Sequence, residues 1–446
     1  LAVAFAMHNA RSMSNWVYAS IGGVMIGAAS ALLLLMHGRI AGISGITGSL
    51  LQRSTSDRGW RIAFLGGLAA AACLMQRGFT VRVFEQAPQL GEVGAGIQQS
   101  ANAVKVLYAL GLREALDRVG VKPRDYEFRR FDTGDLIHKI AFAGAHEAKH
   151  GTPYYHLHRA DFHQIMVDKV RAMDPGCIAL NAKVIGFTES GRGVSVRLAD
   201  GTQVSGDVLV GADGIKSTVR RAIAGETPAR YTGYVAWRVT VPREKLPADI
   251  MDTVGAVWCG PRNHCVLYWL RSGGLLNFVG CPEHAAWDEE SWTQRRPWNE
   301  LKSAYAGWHP CIQAILDAAD RDECYRWALN DRVPIRQWST ARVTLLGDAA
   351  HPTLPFLAQG ACMAIEDGAV LARALEGAGT ISHALQVYQD ARVERCARVV
   401  RESAQHGGLY HIVDAGEMKK AFAERNIAQE REQWLYNYDP LTVPLH

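Results

Sequence analysis

The pattern of apolar and polar positions changes character once along this chain. From Ser12 to Gly38 there is no Asp, Glu, Lys or Arg, and Val17 to Met36 is an almost unbroken apolar and small-residue run. That run is long enough to cross a hydrocarbon core. Trp16 and Tyr18 at one end and Arg39 at the other suit its two interfaces. A second uncharged stretch, residues 40–52, is rich in Gly and Ser, and Gly22, Gly23 and Gly27 suit close packing of membrane helices. The expectation is a hydrophobic helical segment over residues 1–60, with membrane contact through Val17 to Met36; the alternative is a buried soluble helix. The chain starts at Leu1 rather than Met, which fits a piece of something larger, a processed chain or an assembly of fragments.

From Gly66 onward the pattern is that of a mixed α/β protein. Residues 67–78 read as a helix, with small residues at Ala69 to Ala72 and a stop at Gly78. Residues 80–85 (TVRVFE) alternate as a strand does and end in an acid. Strands are expected at 182–187, 194–198, 208–211 and 342–346, and a helix from about Gly360 to Leu375. Residues 61–65 read as a further strand with a shortened turn after it. Between Tyr231 and Cys281 strand-like runs alternate with turn residues, which predicts an antiparallel sheet inserted into an α/β domain.

Composition narrows the function classes. Hydrophobic residues make up 48% and charged residues 21%, the balance of a globular chain rather than a disordered one. The net charge of +4 is small for 446 residues, and no basic run suggests a nucleic-acid partner. The nine cysteines are scattered, with no C-x-x-C pair and no Cys/His grouping at metal-ligand spacing. Reduced thiols, a cytoplasmic location and no metal are the expectation, with attachment to a membrane through Val17 to Met36 as the alternative location.

Three strings carry chemistry. In a dinucleotide-binding unit a strand feeds a Gly-x-Gly-x-x-Gly turn, a helix follows, and an acid ending the second strand takes the ribose hydroxyls. Glu85 is that acid, and Gly67 falls at the last glycine. The two earlier glycines are replaced by Ile62 and Phe64, so weak cofactor affinity is expected. The second string is GADGIKSTVRRAI, residues 211–223. Its Asp213-Gly214 pair makes a turn after a buried strand, with Ser217 and Arg220 one helical turn apart. The third is LLGDAAHPTLPFLAQGACMAIEDGAVLARAL, residues 345–375. Asp348 can accept a sugar-alcohol hydroxyl, and the helix opening at Gly360-Ala361 presents free N–H groups to an anion.

On these strings the chain from Gly67 onward resembles the FAD-dependent aromatic hydroxylases, the group that includes salicylate hydroxylase, 3-hydroxybenzoate 6-hydroxylase and 6-hydroxynicotinate 3-monooxygenase. GADGIKSTVR is similar to the family's Asp-Gly motif and Gly347-Asp348 to its Gly-Asp motif. GEVGAGIQQSANAVKVLYALGL (residues 91–112) resembles its flavin-contacting loop, HRADFHQIM (158–166) carries its flavin-binding Arg at Arg159, and YTGYVAWR (231–238) resembles the start of its substrate sheet. The resemblance implies FAD as cofactor, NADH or NADPH as co-substrate, and O2 with a small aromatic substrate. It also implies oxygen transfer from a flavin C4a-hydroperoxide to a phenolic or hydroxypyridine ring. It implies a Rossmann-like FAD-binding domain in two parts, 61–230 and 336–405. An inserted antiparallel β-sheet substrate domain would span 231–335, and a C-terminal helix and tail 406–446. Cofactor contacts are expected from Gly67, Glu85, Gly96, Arg159, Asp213, Asp348, Gly360 and Ala361. Substrate contacts are expected from Trp237, Arg238, Pro355 and Phe356, with ordinary sheet packing as the alternative for Trp237. His351 and Tyr234 are the catalytic candidates, with a structural loop histidine as the alternative for His351. Two other functions stay open: a hybrid with impaired FAD binding, and a flavin oxidoreductase that does not activate oxygen. Residues 22–51 separately resemble the repeat of the YeeE/YedE sulfur-compound transporters, whose GRIAGISG-like turn stands here at Gly38 to Gly45.

Overall fold

The computed structural model describes residues 3–5, 61–90, 96–285, 287 and 294–446. The apolar run from Val17 to Met36, the transporter-like turn and the loop at 91–95 lie outside these residues. Among the described residues no helix is long and apolar enough to cross a membrane.

The strands in chain order are β1 Val3–Phe5, β2 Val83–Phe84, β3 Gly96–Gln99, β4 Asp125–Arg130, β5 Leu136–Ala141, β6 Tyr155–His158, β7 Ile178–Ala179, β8 Val184–Ser190, β9 Gly193–Leu198, β10 Gln203–Gly206, β11 Val208–Gly211, β12 Arg230–Pro242, β13 Gly255–Gly260, β14 Asn263–Leu270, β15 Leu275–Gly280, β16 Tyr325–Asp331 and β17 Val343–Leu345. β2 pairs parallel with β7, and β11 pairs parallel with β17. The apolar runs of β11 and β17 are buried throughout, as parallel strands covered on both faces require. The helices Arg61–Gln76 and Gly360–Gly377 cross nearby, and only glycine fits at the crossing. A Cβ on Gly66 would stand 2.6 Å from Ala364 Cβ, and one on Gly368 would stand 2.7 Å from Ala70 Cα.

Residues 61–65, expected as a strand, are helical: the helix starts at Arg61 and runs to Gln76. The reason is local. The glycines that would break the helix are Ile62 and Phe64, and the rest of RIAFLGGLAAAACLMQ is rich in Ala and Leu, so nothing stops the helix from running back through the turn. The strand expected there is replaced by β1 from the start of the chain. β1 pairs antiparallel with β11, Val3 opposite Val210 and Phe5 opposite Val208, and also lies against β2. Three apolar residues thus fill the place between β2 and β11 in the opposite direction.

The second sheet has seven strands in the order β16-β12-β15-β14-β13-β4-β5. Its pairs are antiparallel except β13 with β4. β4 and β5 precede the 231–335 segment by a hundred residues or so, yet they extend its sheet. Side chains alternate between two cores. On β12 and β14, Trp237, Val239, Cys265, Leu267 and Trp269 face one apolar cluster, which Leu301, Ile312 and Ile315 close. The opposite face, with Ala236 and Val266, turns toward the main core.

Candidate active site

That opposite face roofs a cavity of about 200 Å³. Arg238 on β12, His264 and Tyr268 on β14, and Gly96 on β3 line it from one side. Asp348, Pro355, Phe356, Gly360 and Ala361 line it from the other. Residues from 96 to 410 therefore meet in one space.

Each wall is held in place by identifiable bonds. The Gly96 N–H donates to Asn277 Oδ1 at 3.0 Å, tying β3 to β15. A Cβ on Gly96 would stand 2.3 Å from the Tyr268 ring, so backbone and ring meet only because the residue is glycine. Gly96→Ala is expected to lower stability by roughly 1–3 kcal/mol through overpacking, read as a lower melting temperature; an unchanged value would show that Tyr268 swings aside freely.

The loop from Gly347 to Gln359 forms the other wall. Gly347 takes φ +61°, a conformation that favours glycine. Its N–H donates to Asp367 Oδ2 at 3.0 Å. Gln359, preceding the Gly360–Gly377 helix, is fixed by Asn102 Nδ2, 2.9 Å from its Oε1, and donates from Nε2 to Ser100 Oγ at 2.9 Å. The first N–H groups of that helix thus open at the cavity.

The Asp348 carboxylate lines the cavity and accepts no hydrogen bond among the described residues. Burial pushes its carboxyl up, and the charges of His351 and Arg159 pull it part of the way back. Arg159, the buried first residue of the Arg159–Met173 helix, is thus within electrostatic reach of Asp348. Glu85 is buried just after β2, where Oε1 accepts the Ala87 N–H at 2.7 Å. A sugar-alcohol acceptor at Asp348, an anion-binding helix start at Gly360 and an acid beyond β2 are the donor and acceptor set that FAD needs. The turn for its pyrophosphate is the missing part: Gly67 sits inside a helix rather than at its start.

Several expected site residues lie elsewhere. Trp237 is 1% exposed, in the second core, with the Arg326 guanidinium 4.9 Å from its ring centroid. It is displaced because its neighbours Ala236 and Arg238 take the cavity face of the same strand. Tyr234 backs Phe356, ring to ring at 5.3 Å, and is not among the lining residues. Asp213 caps the Thr218–Ala224 helix: its carboxylate accepts the N–H groups of Thr218 and Val219, at 2.6 and 3.1 Å, and the Ser217 hydroxyl. Arg220, in that helix, donates from Nη1 to the carbonyls of Ala349 and Ala350, both at 3.1 Å, and so braces the Asp348 loop.

His351 is 2% exposed and is not among the residues that line the cavity. Its Nε2 lies 2.6 Å from Asp367 Oδ2, and its ring packs on Trp338 at 5.4 Å. His351, Asp367 and Cys396 bring ligand-capable atoms within 4.8 Å of one another. Arg392 already serves that carboxylate, with Nε 2.7 Å from Asp367 Oδ1.

Among the lining residues that the sequence does not single out are His264 and Tyr268. Their signal is available: in NHCVLYWL they share one strand face, on either side of Val266. Burial pushes the Tyr268 hydroxyl well up, with Arg238 opposing, so it remains a hydrogen-bond donor.

Residues 63–403 match the family model described as FAD binding domain. The chain is 34% identical over 389 residues to 6-hydroxynicotinate 3-monooxygenase of Pseudomonas fluorescens, a match covering 86% of this chain and 95% of that relative. It is 35% identical over 380 residues to 3-hydroxybenzoate 6-hydroxylase of Polaromonas naphthalenivorans (strain CJ2), covering 84% and 94%. Its fold resembles that of Klebsiella pneumoniae HpxO complexed with FAD and uric acid, with a TM-score of 0.73 and 29% identity over 84% of this chain and 95% of that one.

Proposed function

The chain belongs to the FAD binding domain family and is a FAD-dependent aromatic monooxygenase, and we propose that it hydroxylates a single-ring phenol or hydroxypyridine bearing a carboxylate. The observation that carries this is the cavity itself. It sets Arg238 and the Tyr268 hydroxyl on the sheet side against Asp348 and the Gly360 helix start on the other. The two relatives with hydroxybenzoate and hydroxynicotinate in their names support the same class.

Bound FAD supplies hydride acceptance from NADH or NADPH and the activation of O2. The chain's own residues bind and orient. Asp348 would accept a hydroxyl of the ribityl chain, Arg159 would contribute positive charge beside it, Glu85 would take the ribose hydroxyls, and the N–H groups at Gly360 and Ala361 would face the negative edge of the reduced ring. Arg238 would pair with the substrate carboxylate, where its stacking on Trp327 at 4.7 Å holds it. Tyr268 would donate to the substrate, and Pro355 and Phe356 would keep water out. His351 and Trp237 support the walls from behind, and Tyr234 supports Phe356. A cytoplasmic location is part of the same proposal.

Purified protein supplied with FAD should oxidise NADH or NADPH faster, by roughly tenfold or more, when a hydroxybenzoate or hydroxypyridine carboxylate is added. With heavy-oxygen-labelled O2 the product should carry one labelled atom. Stimulated oxidation without label in the product would replace this reading with a flavin oxidoreductase that does not transfer oxygen.

A further inference from the structure

One residue touches two walls of the cavity without lining it. Tyr126 on β4 and Tyr410, which ends the Ile381–Tyr410 helix, both line the cavity, and Arg431 does not. The Arg431 guanidinium carbon lies 5.8 Å from the centroids of the Tyr126 and Phe128 rings. Its Nη2 donates to the Tyr410 hydroxyl at 3.2 Å. Arg431 opens a short π-helix, Arg431–Tyr436, that is fastened to the body of the protein. Arg395 donates to the carbonyls of Trp434 and Leu435 at 2.8 and 3.3 Å. Lys105 Nζ donates to those of Tyr436, Asn437 and Tyr438 at 3.4, 3.5 and 3.3 Å.

The charge of Arg431 runs against the usual rules of burial. The residue is 5% exposed, and its Nε has no hydrogen-bond partner among the described residues. Buried guanidinium groups ordinarily pair with carboxylates, because an unpaired charge in the interior is costly. No ion pair reaches Arg431 among the described residues. The groups around its charge are the hydroxyls of Tyr410, Tyr436, Tyr126 and Tyr154. Stability alone does not call for a cation here.

The bond to Tyr410 continues into the cavity wall. A guanidinium only donates, so the Tyr410 hydroxyl accepts from Arg431 and gives its own proton to the Phe356 carbonyl, 3.1 Å away. That carbonyl belongs to a turn that needs holding. Ala358, two residues on, takes φ +54°, a conformation that disfavours side chains and persists only where the surroundings impose it. The Ile381–Tyr410 helix gives further support. Ser403 Oγ donates to the Leu354 carbonyl at 2.6 Å. At Gly407 the helix backbone lies against the Phe356 ring, where a Cβ would stand 2.9 Å from Cε2.

We infer that Arg431 is a positioning residue that ties the Tyr126 wall to the Phe356 wall and so sets the room the substrate ring has in the cavity. This rests on the aromatic-substrate reading above and adds a determinant of how fully NAD(P)H oxidation is coupled to oxygen transfer. With the tie intact, the ring is held where one oxygen atom of O2 reaches it. With the tie cut, the Phe356 turn relaxes and the ring shifts. Reducing equivalents are then lost: NAD(P)H, O2 and one proton give NAD(P)+ and hydrogen peroxide, and no oxygen enters the ring. Transfer suffers more than binding, because transfer depends on placement at the ångström scale. Arg431 acts through Tyr410 and Tyr126, the residues that line the cavity.

The test uses the FAD-loaded full chain with 3-hydroxybenzoate and 6-hydroxynicotinate as probes. In Arg431→Met the product formed per NAD(P)H oxidised should fall about threefold or more, with released peroxide making up the difference. The maximal rate of NAD(P)H oxidation should stay within about twofold, and the probe's Kd, read from the flavin absorption change, should rise about fivefold. Arg431→Lys, which keeps a cationic donor, should recover part of the coupling. Tyr410→Phe should behave as Arg431→Met does, and it carries the test if Arg431→Met fails to fold. The double variant should lose no more than about twofold beyond either single one, because both cut the same tie. A merely structural role would lower the melting temperature and leave product per NAD(P)H unchanged. Unchanged coupling in the single variants, or losses that multiply in the double one, would overturn the tie alone. If neither probe binds the unaltered protein, the aromatic-substrate reading falls and takes the tie with it.

Discussion

Replacing residues 1–66 with a β-strand and an intact Gly-x-Gly-x-x-Gly turn is expected to tighten FAD binding by about a hundredfold. In a dinucleotide-binding unit the helix N-terminus sits at the pyrophosphate, and its unpaired N–H groups donate to it. Here the helix begins at Arg61. The N–H groups of Leu65, Gly66 and Gly67 therefore lie beyond the first four and are committed to bonds within the helix. Regaining two charge-assisted hydrogen bonds, at about 1.5 kcal/mol each, gives about 3 kcal/mol and the stated factor. Ile62→Gly with Phe64→Gly alone should recover little. That pair shortens the helix, but β1 still runs antiparallel between β2 and β11, and no parallel strand delivers the turn. The remaining cofactor contacts, at Asp348, Arg159, Glu85 and Gly360, are unaffected by the exchange. Fluorescence titration of FAD into both proteins measures the difference. Equal, tight binding by the unaltered chain would show that the extended helix start already makes an adequate pyrophosphate site.

The strand–turn–helix from β17 to the Gly360–Gly377 helix was legible because its signals are local. A short apolar run, a Gly-Asp turn, two prolines and an Ala-rich helix follow one another with no need of distant partners. Asp348 and Gly360 were found for that reason. Strand parity was not legible on β12, where both faces are buried: Trp237 and Arg238 are equally plausible cavity residues until the second core claims the tryptophan. The roles of His351 and Asp213 were hidden for another reason. Each side chain is spent on a bond that the sequence does not announce, one with Asp367 and one with a helix start. The antiparallel course of β1 was also out of reach. Three apolar residues at the chain's start carry no directional signal, and only the empty place beside β11 gives them a partner.

Asp367→Asn should lower the melting temperature by roughly 3–4 °C near pH 5, the effect of about 3 kcal/mol in a protein of this size. Asp367 is fully buried, 2.6 Å from His351 Nε2 and 2.7 Å from Arg392 Nε, and both partners are buried with it. Losing its charge leaves two buried bases with less compensation; Glu366, 2.7 Å from Arg392 Nη2, keeps the loss toward the lower end of the range for broken buried pairs. The pH dependence has a definite sign. Burial pushes the Asp367 carboxyl up, but His351 and Arg392 outweigh it and hold the group at about 2, against about 3.9 in an unfolded chain. A depressed carboxyl contributes its stability above the unfolded value and loses it as pH falls through the folded one. His351 runs the other way: against the effect of burial, Cys396 and Asp367 raise it well above its usual range. Its contribution is complete below about 6.5 and is lost as pH rises through the folded value. The gap between the two proteins should therefore be widest between about pH 4 and 6.5 and close steadily below pH 4. The same substitution leaves one acceptor oxygen for the Gly347 N–H, His351 and Arg392, so the Gly347 turn loosens and FAD affinity should fall along with stability. A melting temperature within about 1 °C of the unaltered protein at pH 5 would show that Glu366 alone neutralises the cluster.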